Sequence, residues 1–181
     1  MKYFFIQFLS AVIFPFVFSA CVSQPPSSDF NKQQAAKARV ELALGYLQQN
    51  NFIQAKQNLD KALAHDKNYY LVHSVFAHFY QLQGDVNEAR KSYLQAIKID
   101  EKQGDVHNNF GTFLCRQGEF EQANTQFELA LVSPNYYRQA DTYENMALCA
   151  QALNRADAYQ RAINKLWQID VDRVEKLNLV K

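Results

Sequence analysis

The chain offers few groups able to act as nucleophiles, bases or metal ligands. It has three cysteines (Cys21, Cys115, Cys149) and four histidines (His65, His73, His78, His107). Metal chemistry needs ligands at fixed spacing, and neither a His-Glu-x-x-His nor a Cys-x-x-Cys string occurs. His73 and His78 are five residues apart, so on a helix they point in different directions, and all four histidines read as surface or groove residues. No glycine-rich phosphate loop or nucleophile elbow is present, and the carboxylates are scattered. The reading is therefore of a protein that is not an enzyme, with no cofactor, no metal and no small-molecule substrate. Cys115 and Cys149 have two open roles. They could pair as a disulfide in an oxidising compartment, or remain buried free thiols packing as small hydrophobes. Their positions relative to the small residues Gly111 and Ala147 do not match, which leaves the choice open.

The remaining residues must build a scaffold. At 181 residues there is room for one domain of ordinary size. Apolar residues make up 48% and charged residues 20%, which is globular rather than disordered composition. A net charge of +1 gives no basic field, so nucleic acid is not an expected partner. With only five glycines and four prolines, long helices are favoured over a turn-rich all-β fold.

A 34-residue period then organises the chain. Ala55, Ala89 and Ala123 recur at that spacing, as do Ala62, Ala96 and Ala130. The same register aligns Leu42/Phe76/Phe110, Ala43/Ala77/Gly111 and Tyr46/Tyr80/Leu114 in a first helix, then Leu59/Tyr93/Phe127 and Leu63/Ile97/Leu131 in a second. Small columns let two helices approach closely, and large residues at i, i+4 spacing fill the space beside them. Asn50-Asn51, Gly84-Asp85 and Gly118-Glu119 lie between the helices, where Asn or Gly can take the left-handed conformation that ends a helix. This pattern resembles the tetratricopeptide repeat (TPR). The expected fold is an all-α TPR solenoid over residues 36–181, with repeats at about 36–69, 70–103 and 104–137. A degenerate fourth repeat at 138–168 has Asn154 where Gly118 stood, Tyr159 at the signature alanine and about two inserted residues. A capping helix from Val171 to Val180 closes the array.

Residues 1–20 read as an address. Lys2 supplies a positive start, and Tyr3 to Phe18 is an apolar run of 16 residues interrupted by Gln7, Ser10 and Pro15. A membrane-spanning helix wants about 20, so a cleaved signal peptide is expected. Phe18-Ser19-Ala20-Cys21 resembles a bacterial lipobox, with Phe18 where leucine is usual. The resemblance implies lipidation of Cys21, a flexible Pro/Ser-rich tether over 21–35 and, with Val22 next, sorting to the periplasmic face of the outer membrane of a Gram-negative bacterium.

In a TPR stack the first helices line a concave face. The register projects Lys37, Val40, Leu44 and Leu47 onto it from repeat one, and Leu71, Ser74, His78 and Gln81 from repeat two. Repeat three adds Asp105, Asn108, Asn109, Thr112 and Arg116. The apolar positions of repeat one suit an apolar partner, while the amides and hydroxyl of repeat three suit a peptide backbone.

Residues 107–131, HNNFGTFLCRQGEFEQANTQFELAL, together with TYENMALCAQAL at 142–153, resemble the type IV pilus biogenesis/stability lipoprotein family (PilF/PilW). Asn154-Arg155 departs from that family's usual Gly-Asp. Membership implies a pilotin-like role, aiding secretin localisation and assembly in the outer membrane or stabilising pili (fimbriae) by binding a secretin subunit or other pilus assembly proteins. The residues themselves equally suit a general periplasmic adaptor that gathers envelope or peptidoglycan enzymes. A hydrolase carrying a TPR arm would need a catalytic domain, and the repeats use the chain up.

Overall fold

In the computed structural model residues 28–179 are described, and among them every regular element is an α-helix. The expected signal peptide, Cys21 and the start of the tether lie outside the described residues. Four helix hairpins follow one another: α1 (Ser28–Gln48) with α2 (Phe52–His65), α3 (Tyr70–Gln83) with α4 (Val86–Ile99), α5 (Gly104–Arg116) with α6 (Phe120–Val132), and α7 (Gln139–Ala152) with α8 (Ala156–Ile169). The short helix α9 (Val171–Leu179) packs on α8.

The hairpins turn where the period places Asn or Gly. Asn50, Gly84, Gly118 and Asn154 have φ of 55°, 74°, 79° and 56°, a region that Gly and Asn enter most readily. The next helix is then capped by a side chain in two cases. Asn51 Oδ1 accepts from the Gln54 N–H at 3.2 Å, and Asp85 Oδ1 accepts from the Glu88 N–H at 3.1 Å. The fourth turn comes 36 residues after the third rather than 34. Its two extra residues lie in the 133–138 connection, six residues long where the earlier inter-repeat connections (66–69 and 100–103) have four.

All six signature alanines are fully buried where the paired helices meet. Gly111 shows how close that approach is. A Cβ there would sit 2.7 Å from the ring of buried Phe127 and 3.1 Å from the Ala123 carbonyl oxygen. Around it Tyr93, Phe110 and Phe113 form a continuous aromatic stack, with centroids 5.2 Å apart for Tyr93–Phe110 and 6.0 Å for Phe110–Phe113. Arg90 lies over the Phe113 ring and forks onto both Glu119 carboxylate oxygens, tying α4 to the next hairpin's turn.

Two sequence expectations are corrected here. First, α1 begins at Ser28, so residues 28–35 are helix rather than flexible tether. After Pro26 the sequence has neither Pro nor Gly until Gly45, and Ala36 and Val40 give that extra length a buried stripe to dock. Second, His107 is buried rather than at a surface or groove. Its Nε2 donates to the Glu101 carbonyl at 2.8 Å, and its Nδ1 lies 2.8 Å from the Gln126 side-chain amide, which pins α5 to the preceding loop and to α6.

Candidate functional site

The first helices line a concave depression of about 650 Å³. α1 contributes Leu44. α3 adds Tyr70, Leu71, Ser74, Val75, His78 and Gln81, and α5 adds Asp105, Val106, Asn108, Asn109, Thr112 and Arg116. α7, with the loop before it, adds Arg138, Asp141, Glu144, Asn145 and Leu148. Tyr93 of α4 reaches the floor, where its hydroxyl donates to Gln81 Oε1 at 2.6 Å.

Of the residues expected on this face, Leu44, Leu71, Ser74, His78, Gln81, Asp105, Asn108, Asn109, Thr112 and Arg116 come together there. Leu47 does not. It is buried at 4% exposure in the first core cluster, as is Val40, because positions 36, 40, 43 and 47 form the inward stripe of α1. Lys37 is exposed beside Glu41, away from the depression. Asn108 only edges the depression, since its side chain is spent inside the fold. Its Oδ1 accepts from the Thr142 hydroxyl and from Asn145 Nδ2, both at 3.1 Å, and Thr142 in turn accepts from the Tyr136 hydroxyl at 2.7 Å. This buried chain of hydrogen bonds locks α7 to α5 and extends to the 133–138 loop.

Cys115 and Cys149 form a disulfide with Cα atoms 5.7 Å apart, a second lock between the same two helices. The α7 wall was missed as groove-forming, although the sequence holds a signal for it. Carrying the 36-residue offset into α7 sends Asp105, Asn108, Asn109 and Thr112 to Asp141, Glu144, Asn145 and Leu148, all of which line the depression.

Charge within the depression is unevenly paired. Asp141 and Glu144 are held by Arg173 of α9 at 2.5 and 2.9 Å, and Asp141 also by Arg138 at 2.5 Å. Burial pushes the Asp141 carboxyl up, but hydrogen bonds from Arg173 and Arg138 outweigh it and hold the group below its ordinary value of 3.8. Arg116, at the end of α5, has no carboxylate partner among the described residues. Partial desolvation, then the nearby Arg116 charge, lower the His78 pKa, so this imidazole is neutral at neutral pH. No group of three His, Cys, Asp or Glu side chains among the described residues could hold a metal ion.

The Asp141–Arg173 contact gives a pH prediction. A carboxylate with a depressed folded pKa adds stability above its unfolded value and loses it as pH falls through the folded one. The Arg173→Ala variant should melt lower than wild type at pH 7, by about 1 kcal/mol after discounting for solvent screening. The gap should begin to narrow as pH drops below the ordinary carboxylate value of 3.8 and close only once pH falls through the lower folded value. Circular dichroism melts across that range check it, and a gap that is constant with pH contradicts the assignment.

The tetratricopeptide-repeat family pattern matches residues 46–108. An uncharacterized protein of Haemophilus influenzae is 66% identical over 173 residues, covering 96% of both chains. The chain belongs to the same family of TPR proteins as that Haemophilus protein. The type IV pilus assembly protein PilF of Pseudomonas aeruginosa is 30% identical over 131 residues, 72% of this chain, although the chain spans only about half (52%) of PilF's length. The solved structure of P. aeruginosa PilF superposes with a TM-score of 0.72 at 28% identity, covering 77% of this TPR chain and 63% of that one. PilW, a widely conserved type IV pilus biogenesis factor, superposes with a TM-score of 0.69 and covers 75% of this chain and 62% of its own, though at 24% identity it attests the fold alone.

Proposed function

We propose that this TPR protein is a type IV pilus biogenesis scaffold. In this reading it is exported, lipidated at Cys21 and held at the periplasmic face of the outer membrane. Its concave groove there captures a secretin subunit or another pilus assembly protein, aiding multimer assembly or stabilising the pilus. The observation that carries the reading is the 30% identity to PilF over 72% of the chain, on a scaffold with a concave groove lined by groups suited to peptide contact. A disulfide between α5 and α7 supports export, because such bonds persist in oxidising compartments.

Deletion of the gene tests it, with surface pili, twitching and the heat-stable secretin multimer on a gel as readouts. Loss of any of these, restored by the wild-type gene, is expected. Replacing Cys21 with serine should remove the protein from the outer-membrane fraction. Normal multimers together with normal piliation in the deletion strain would reject the pilus role and leave a general periplasmic adaptor.

A further inference from the structure

The repeat register sets side chains at one level across the groove. Leu44, His78, Thr112 and Leu148 are the same position of α1, α3, α5 and α7, separated by 34, 34 and 36 residues, and all four line the depression. Leu44 and Leu148 form apolar walls at the two ends of this row. Arg116 lies one turn beyond Thr112, so a full positive charge stands near the middle.

Local charge does not neutralise it. Asp141 and Glu144 are already engaged by Arg138 and Arg173. Asp105, on the same helix as Arg116, is about 16 Å away along the axis at 1.5 Å per residue. Along this row the groove thus runs from Leu44 past His78 and Thr112, with the Arg116 charge one turn beyond, to Leu148.

We infer that the groove accepts an extended peptide segment with an internal Asp or Glu on Arg116 and aliphatic residues on either side, seated against Leu44 and Leu148. This rests on the reading of the groove as the partner site. The acid is internal rather than a chain terminus because the row sets a leucine to each side of Arg116, and a segment reaching both continues both ways. Packed first helices lie roughly 8–10 Å apart, so the row spans about 25–30 Å. An extended segment covers that with about eight or nine residues. Gln81 and the exposed Asn109 line the same depression and offer amides for its backbone.

Selection from random peptides of about 12 residues, displayed on phage and panned on the purified protein in mild detergent, tests the inference. Wild-type protein should enrich an internal Asp or Glu with Leu, Ile or Val a few residues to each side. Panning on Arg116→Glu, with helix content checked by circular dichroism, should lose the acid and favour Lys or Arg. An enriched peptide should bind Arg116→Gln about tenfold more weakly, the loss of one charge-assisted contact. Three results overturn the inference: peptides without an acid, acids confined to the C-terminus, or an acid preference that survives Arg116→Glu. Leu148→Asp separates this failure from failure of the groove itself. Peptides that lose binding to Leu148→Asp but show no acid preference sink only the inference. Peptides indifferent to both substitutions, or no enrichment at all, sink the groove as partner site as well.

Discussion

Reducing the Cys115–Cys149 disulfide lowers the unfolding free energy by about 3–4 kcal/mol, as does replacing both cysteines with serine. The bridge closes a loop of sequence separation 34, and in the chain-entropy account a loop of that size takes that much conformational freedom from the unfolded chain. The bond also sits where the array needs help. The fourth repeat departs from the pattern, with Tyr159 at the signature alanine and no side-chain cap at the start of α8. Reductant should therefore lower the melting temperature and loosen α7–α9 first. Hydrogen exchange should show their amides losing protection while α1–α4 keep theirs. A melting temperature indifferent to reductant contradicts this. So does reaction of both Cys115 and Cys149 with a thiol reagent in the unfolded, unreduced protein.

Replacing Asn108 with leucine costs about 2–3 kcal/mol even though leucine is more apolar and of similar size. The Thr142 hydroxyl is fully buried and donates to Asn108 Oδ1, and no buried side-chain polar atom among the described residues lacks a partner. Without Asn108 Oδ1 the Thr142 and Tyr136 hydroxyls have only each other, so one of two buried O–H donors is stranded at its full desolvation cost. The triple variant Asn108→Leu/Tyr136→Phe/Thr142→Val removes the buried hydroxyls together with their acceptor. It should recover part of the loss, so the effects are not additive. Urea titration measures this. An Asn108→Leu variant as stable as wild type would mean that the residue is free for a partner, as its place in the register first suggests.

The hairpins were legible because each depends on local chemistry. Asn50, Gly84, Gly118 and Asn154 mark the turns by their tolerance of positive φ, and the alanine columns mark the closest helix approach. The groove was partly legible, since a repeat register says which positions share a face. It does not say how deep each one lies. Leu47 and Val40 share the face of Leu44 on a helical projection but turn into the core formed with α2 and α3. Asn108 looked like a peptide-binding amide, because nothing local reveals that Thr142 and Asn145 arrive from 34 and 37 residues away. The cysteine columns left the pairing open for a related reason. Neighbouring first helices meet through opposite faces, one forward and one backward, so residues that touch across them come from different columns. The α1 boundary was set too late because the period counts repeats, and α1 extends past the repeat.

The proposed role in pilus biogenesis runs through this groove. The most direct measurement is the level of heat-stable secretin multimer and surface pili in a deletion strain carrying Asn109→Ala/Arg116→Glu, expressed at wild-type level with its helix content and membrane fractionation intact. Asn109 and Arg116 are exposed, line the depression and take no part in the Asn108–Thr142 lock beyond a 3.4 Å contact at Asn109. This strain should resemble the deletion in multimer or pilus level. Full restoration of both by the double variant would contradict it.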